Sequence, residues 1–149
     1  MKILLVEDEI HKRDEIVGCV REAFDLDPDI VDGVNSAVLS VLKEDYDLII
    51  LDMALSTFGE HADDLKKGHD QAQGGIEVLR ALKRKGQSSK IVIVTQYPDF
   101  YIGNAKIKLK QASRVIGDKY SQNVIGAILY HYKSKQTLQK ITSILRGAR

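Results

Sequence analysis

At 149 residues, with 44% hydrophobic and 29% charged side chains, the chain has the size and composition of one domain with a core of its own, which excludes a disordered protein. No apolar run approaches the roughly 18 residues of a membrane-spanning helix, and the N-terminus turns acidic after four apolar residues, too few for a secretory signal, so a cytoplasmic location is expected. The formal net charge of +1 hides an asymmetry: residues 1–70 carry 18 acidic and 7 basic side chains, whereas residues 103–149 carry 10 basic and one acidic, Asp118.

Lys2-Ile3-Leu4-Leu5-Val6 predicts a short buried strand that stops at three consecutive carboxylates, Glu7-Asp8-Glu9. Like charges held side by side repel, so a fold gathers them for a use or for full solvation. From His11 to Phe24 the apolar residues Ile16, Val17, Val20, Ala23 and Phe24 form the stripe of one amphipathic helix, and the single cysteine, Cys19, is read as a small core residue within it. Asp27-Pro28-Asp29 punctuates the chain, and Ile30–Val34 is a weaker second strand. Asn35 or Ser36 can cap a second helix with Val38, Leu39, Val41 and Leu42 facing inward.

Asp47-Leu48-Ile49-Ile50-Leu51-Asp52 is the strongest strand signal, four large apolar residues running into one carboxylate. A run apolar throughout reads as a strand buried on both faces of a parallel sheet. Ligands of open α/β sheets bind at the carboxyl ends of the strands, which is where Asp52 stands. Residues 56–73 are polar, contain Gly59 and Gly68, and show no sustained period. Gly74-Gly75 leads into a third helix through Ile76, Val78, Leu79, Ala81 and Leu82, closed by Lys83-Arg84-Lys85-Gly86. Lys90–Val94 is the fourth strand and ends at Thr95. Phe100 to Ala112 is read as a helix, and Arg114-Val115-Ile116 as a short fifth strand ending near Lys119. From Gln122, residues Val124, Ile125, Ile128, Leu129 and Tyr132 suggest a last helix, and Leu138, Ile141, Ile144 and Leu145 continue an apolar stripe.

Five alternations of strand and helix predict right-handed crossovers and a parallel α/β sheet covered on both faces. The carboxyl ends of strands one, three, four and five then offer Glu7, Asp8, Asp52, Thr95 and Lys119 to one cleft. Crowded carboxylates need a cation, and hard oxygen donors with room for water suit Mg²⁺. Such an ion would bridge the carboxylates to a phosphoryl group. Asp52 would attack phosphorus to give an aspartyl phosphate, with Thr95 and Lys119 meeting the phosphoryl oxygens.

These residues carry a resemblance. The acidic pair Glu7-Asp8 after the first strand, the LIILDM strand with Asp52, the Gly-Gly-Ile-Glu-Val-Leu-Arg helix start, the IVIVT strand with Thr95, and Lys119 resemble a response-regulator receiver domain of two-component signalling over about residues 1–133. Glu7 and Asp52 stand 45 residues apart, as the family's spacing implies. The resemblance implies a flavodoxin-like, doubly wound five-stranded parallel sheet in the order 2-1-3-4-5. It implies Mg²⁺ held by Glu7, Asp8, Asp52 and the backbone carbonyl of Ala54, phosphorylation of Asp52, Thr95 as switch hydroxyl and Lys119 as the phosphate-pairing lysine. Five features depart from the pattern. Ser56 stands near the usual proline, and the following glycine is delayed to Gly75 by an insertion of about 15 residues. Gln96 replaces a small residue after the switch hydroxyl. Tyr120 replaces the proline after the lysine, and Ile116 the aromatic switch residue.

The expected protein is a stand-alone receiver of residues 1–133 with an inserted loop at 57–73, followed by a helical extension at 134–149. It accepts a phosphoryl group from a histidine kinase or phosphotransfer protein and switches its binding to an effector protein; it is a signalling switch and not an enzyme. The apolar stripe of the last helices is expected to serve a partner or a homodimer. Two alternatives belong to other classes. One is an adaptor that keeps the fold without phosphorylation. The other is a basic nucleic-acid-associated regulator using Tyr97, Tyr101, Tyr130 and Tyr132 among the C-terminal cations, although no nucleic-acid-reading module follows. His61 and His69, with Glu60, Asp63, Asp64 and Asp70, suit either a solvated loop or a zinc site. Lys106, Lys108 and Lys110 rival Lys119, though none ends a strand.

Overall fold

The structure, a computed structural model, describes residues 1–55 and 74–149. Five strands form one parallel sheet: β1 (Ile3–Val6), β2 (Asp29–Val31), β3 (Leu48–Leu51), β4 (Lys90–Thr95) and, after a separate hairpin of β5 (Asp99–Ile102) and β6 (Ala105–Lys108), β7 (Asn123–Leu129). The order across the sheet is β2-β1-β3-β4-β7, which is the expected 2-1-3-4-5 with β7 as the fifth sheet strand. Helices α1 (Ile10–Phe24), α2 (Val34–Lys43), α3 (Gly74–Lys85), α4 (Ala112–Tyr120) and α5 (Lys135–Gly147), with a short 3-10 turn at Leu109–Gln111 before α4, complete the described elements.

The three central strands are apolar at nearly every position because both faces are covered. Leu4, Val6, Ile49, Leu51, Ile91 and Ile93 point into a core shared with α2, α3, α4 and the hairpin residues Phe100 and Ile102. Ile3, Leu5, Leu48, Ile50, Val92 and Val94 point into the opposite core with α1 and α5. This is the two-residue period of a strand, invisible as a polar–apolar pattern because neither face meets water. In-register pairing of Leu5 with Ile50 and of Ile50 with Val92 stacks these side chains in rows. Cys19 is buried in the second core as expected, and burial pushes its thiol pKa up.

The region after Pro98 differs from the expectation. The stretch read as a helix at Phe100–Ala112 is the β5–β6 hairpin, closed by Gly103-Asn104 with Gly103 at φ +60°. A two-residue turn that matches strand twist needs positive φ, which glycine adopts without strain. The stretch read as a fifth strand at Arg114–Ile116 lies within α4, where Ala112, Ile116 and Tyr120 are buried at four-residue intervals. The stretch read as the start of the last helix is strand β7. The contiguous run Val124–Leu129 contains helical spacings as any unbroken apolar run does, so periodicity cannot choose between the two states.

The apolar stripe at Leu138–Leu145 belongs to α5, capped by the Ser134 hydroxyl, which accepts from the Thr137 N–H at 3.2 Å. Ile141 and Leu145 are buried against α1 and the sheet, and Leu138 and Ile144 pack beside them. Of the stripe expected to serve a partner or a homodimer, Ile141 and Leu145 are therefore covered within the chain itself, while Leu138 and Ile144 are half-buried. Gly126 permits this close approach: a β-carbon there would stand 2.7 Å from Ile144 Cδ1. Among the described residues, no helix is long and apolar enough to cross a membrane.

Candidate functional site

The parallel register brings three carboxylates to the carboxyl edge of the sheet. β1 ends at Val6 and β3 at the paired Leu51, so Glu7 and Asp52 leave adjacent strands side by side. The Glu7 N–H donates to Val31 O at 3.0 Å and the Asp52 N–H to Val6 O at 3.4 Å, extending the ladder one residue beyond the strands. Glu7, Asp8 and Asp52 each present an oxygen within 4.8 Å of the others. Glu7 is 1% exposed and Asp52 7%, while Asp8 is half-buried.

Local contacts fix each group. Glu9 caps α1, its carboxylate accepting from the His11 N–H at 3.1 Å and the Lys12 N–H at 2.7 Å, and so starts the helix beside the acidic pair. One oxygen of Asp52 accepts from the Ala54 N–H at 3.0 Å, which holds the turn after β3 against the carboxylate. The Gly74-Gly75 start of α3 lies on that turn. A β-carbon on Gly75 would stand 2.8 Å from Met53 Cα and 2.9 Å from the Asp52 carbonyl oxygen, and one on Gly74 only 1.8 Å from the Leu55 carbonyl oxygen.

Among the described residues, the buried cation that meets Glu7 and Asp52 is Lys12. Its Nζ lies 2.8 Å from Glu7 Oε1 and 3.1 Å from Asp52 Oδ2, and its side chain is 1% exposed. A buried ammonium without ionic partners would be costly, and here two carboxylates meet it. The Tyr130 ring lies below, its centroid 5.7 Å from Lys12 Nζ, and the Tyr130 hydroxyl donates to Glu15, one turn further along α1. Burial, together with this hydrogen bond to a carboxylate, pushes the Tyr130 phenol pKa well up. Burial and the charge of Asp52 push the Glu7 carboxyl up to about 8, with Lys12 opposing them.

The other expected residues fall in different places. Thr95 ends β4, two residues past the partner of Leu51, and is buried; its hydroxyl accepts from the Tyr97 N–H at 3.3 Å. Gln96 is exposed. Lys119 does not end a strand. It is exposed in the last turn of α4, and its carbonyl accepts from Lys83 Nζ at 2.8 Å, because the segment that carries it is a helix and not the fifth sheet strand. Among the rivals, Lys106 pairs with Asp99 at 3.4 Å on the hairpin, Lys108 ends β6, and Lys110 lies in the following turn. The 57–73 insertion, with His61 and His69, lies outside the described residues.

Lys12 was the residue overlooked. The signal for it is in the helix period: 12, 16, 19 or 20, and 23 share one face of α1, and that face is otherwise buried and apolar. A lysine inside an apolar stripe needs a buried anion. Glu7, at the buried end of the preceding strand, is such an anion.

No protein-family model matches the chain. It is 31% identical over 151 residues to the Detocs response regulatory protein DtcB of Vibrio alginolyticus, covering 97% of this chain and 99% of the relative. It is 24% identical over 153 residues to the protein of that name from Enterobacter cloacae strain JD6301, covering 97% and 100%. Among solved structures, a response regulator from Colwellia psychrerythraea superposes with a TM-score of 0.61 at 15% identity, over 98% of this chain and 97% of that one. The response regulator TrrA of Thermotoga maritima, solved in complex with Mg²⁺ and BeF, gives 0.57 at 20% identity, over 97% and 99%.

Proposed function

The chain belongs to the response regulators of two-component signalling, and from that premise we propose that it accepts a phosphoryl group on Asp52 and thereby changes which protein it binds. The observation that carries the reading is the convergence of Glu7, Asp8 and Asp52 within 4.8 Å at the carboxyl edge of the sheet. A set of hard oxygen donors, two of them buried, fits Mg²⁺, which Glu7, Asp8 and Asp52 would hold together with the carbonyl of Ala54. When bound, that ion supplies positive charge to the phosphoryl oxygens and lowers the repulsion between the carboxylates and the incoming group.

The donor is a phosphohistidine of a histidine kinase or phosphotransfer protein. An Asp52 oxygen forms a bond to phosphorus as the phosphorus–nitrogen bond breaks, and the imidazole keeps the electron pair and takes a proton. The Thr95 hydroxyl, at the end of the adjacent strand, is the donor that turns toward the new phosphoryl oxygens. The added charge, about −1.5 to −2, biases β4, β7 and the elements beside them toward the form that an effector protein recognises. The chain acts as a switch modified at one residue, with no further substrate.

A second reading, a receiver-fold adaptor that works without phosphorylation, is favoured by one observation: Lys12 already pairs with Glu7 and Asp52, and Asp52 is almost wholly buried. Incubation with a small acyl phosphate and Mg²⁺, read by intact mass, separates the two. Phosphorylation predicts the gain of one phosphoryl group in the wild type and none in Asp52→Asn. An unchanged mass with every donor, including phosphorylated kinase, would leave the adaptor.

A further inference from the structure

The lysine expected to face the phosphoryl group from the last sheet strand is not at the site. Lys119 is exposed on α4. The first lysine after β7 is Lys133, four residues beyond the end of the strand; it is exposed, and its ammonium lies 5.4 Å over the Tyr132 ring. Phosphoryl transfer to a buried carboxylate still needs positive charge beside the transferred group. We propose that Lys12, reaching in from the first turn of α1, is the phosphate-pairing cation of this protein, a role that rests on the reading of Asp52 as phosphoacceptor.

Three features support this assignment. Lys12 Nζ is already 3.1 Å from Asp52 Oδ2, the atom set that would carry the phosphoryl group. Its ammonium lies between the two carboxylates, 2.8 Å from Glu7 Oε1 and 3.1 Å from Asp52 Oδ2, and carries three rotatable donors, so one of them can turn to a phosphoryl oxygen while the others stay on the carboxylates. Its position is also braced. The Tyr130 ring lies 5.7 Å beneath it, and Tyr130 is tied through Glu15 to the same helix. Lys12 supplies the single positive charge expected from the sheet's far side, but from the helix on the near side. It stays protonated throughout and forms no covalent bond.

The test uses the whole chain with Mg²⁺ and beryllofluoride, which binds as a phosphoryl mimic, followed by fluorine NMR; Mg²⁺ binding alone is followed by calorimetry. Wild type, Lys119→Met and Lys133→Met are expected to take up beryllofluoride equally. Lys12→Met is expected to bind it about 30-fold more weakly or worse while still binding Mg²⁺, and Lys12→Arg to recover part of the loss. Separation of anion uptake from metal binding is what a purely structural lysine would not produce. Thermal melting establishes that each variant is folded. If Lys12→Met does not melt cooperatively, Lys12→Arg decides, since the assignment requires weakened anion uptake with metal binding kept. Uptake by Lys12→Met equal to or tighter than wild type overturns the role of Lys12 and leaves Asp52 as acceptor. Loss of uptake in Lys133→Met or Lys119→Met moves the role to that lysine. No uptake by wild type and no gain of mass on phosphorylation would instead remove the reading of Asp52, and this one with it.

Discussion

At the scale of single residues, the site is governed by how much charge the end of the sheet can bury. Glu7 is the most constrained group: nearly inaccessible, beside Asp52, and held by Lys12 and the Glu9 N–H, which it accepts at 3.2 Å. Burial, then Asp52, raise its carboxyl from 4.5 to about 8. The folded chain thus holds this proton more tightly than the unfolded chain does. The resulting stability is fully present below the ordinary carboxylate value of 4.5 and is lost as the pH rises through about 8. In metal-free protein the melting temperature is expected to fall across that window, by an amount equivalent to a few kcal/mol on the order-of-magnitude scale of such shifts. Glu7→Gln, which cannot ionise, should flatten the profile. A variant profile as steep as wild type would assign the titration to another group.

At the scale of elements, the glycine pair that begins α3 ties the helix to the turn after Asp52. Because a β-carbon at Gly75 would meet the backbone of Asp52 and Met53, not a flexible side chain, the helix start or the turn must move to admit it. Gly75→Ala is expected to cost about 1–3 kcal/mol and to reduce phosphorylation of Asp52 in the folded protein. Gly126→Ala meets the Ile144 side chain far from the carboxylates and should destabilise without changing phosphorylation. Melting curves and phosphorylation rates of both variants check this; equal loss of rate in the two would show that stability alone sets it. The same elements show what was legible in the sequence. Strands one, three and four end where a polar group follows an apolar run, which places Glu7, Asp8, Asp52 and Thr95 at strand ends, whereas the weaker second strand, read as Ile30–Val34, is Asp29–Val31. Beyond Pro98 the runs are short, and a helix, a hairpin and a strand of that length share spacings. The alternation Asp99-Phe100-Tyr101-Ile102 with Gly103-Asn104 after it was a hairpin signature all the same. Exchanging α4 and β7 displaced Lys119 from the site, and only tertiary packing brought Lys12 to it.

At the scale of the whole molecule, the boundary expected at residue 133 has a different meaning once the second core is considered. Sheet strands end at Leu129, but among the described residues one face of the sheet is covered by two helices, α1 and α5. α5 contributes Ile141 and Leu145, both fully buried, and Ala148 beyond its end closes the layer; Lys90 Nζ donates to the Ala148 carbonyl at 2.9 Å. Without residues 134–149, α1 would lose its neighbour and Ile128, Val92 and Val94 would face water. Burial of large aliphatic residues of this kind is worth about 2–5 kcal/mol each when truncated to alanine, comparable in sum to the whole stability of a domain. We therefore expect a chain ending at Lys133 to unfold without a cooperative transition, and Ile141→Ala with Leu145→Ala to lower the melting temperature steeply. Because α1 also carries Lys12 and Glu15 to the site, the double variant should weaken beryllofluoride uptake in its folded fraction as well. Cooperative melting of the shortened chain, with uptake intact, would instead make residues 134–149 a helical extension to a receiver complete at residue 133.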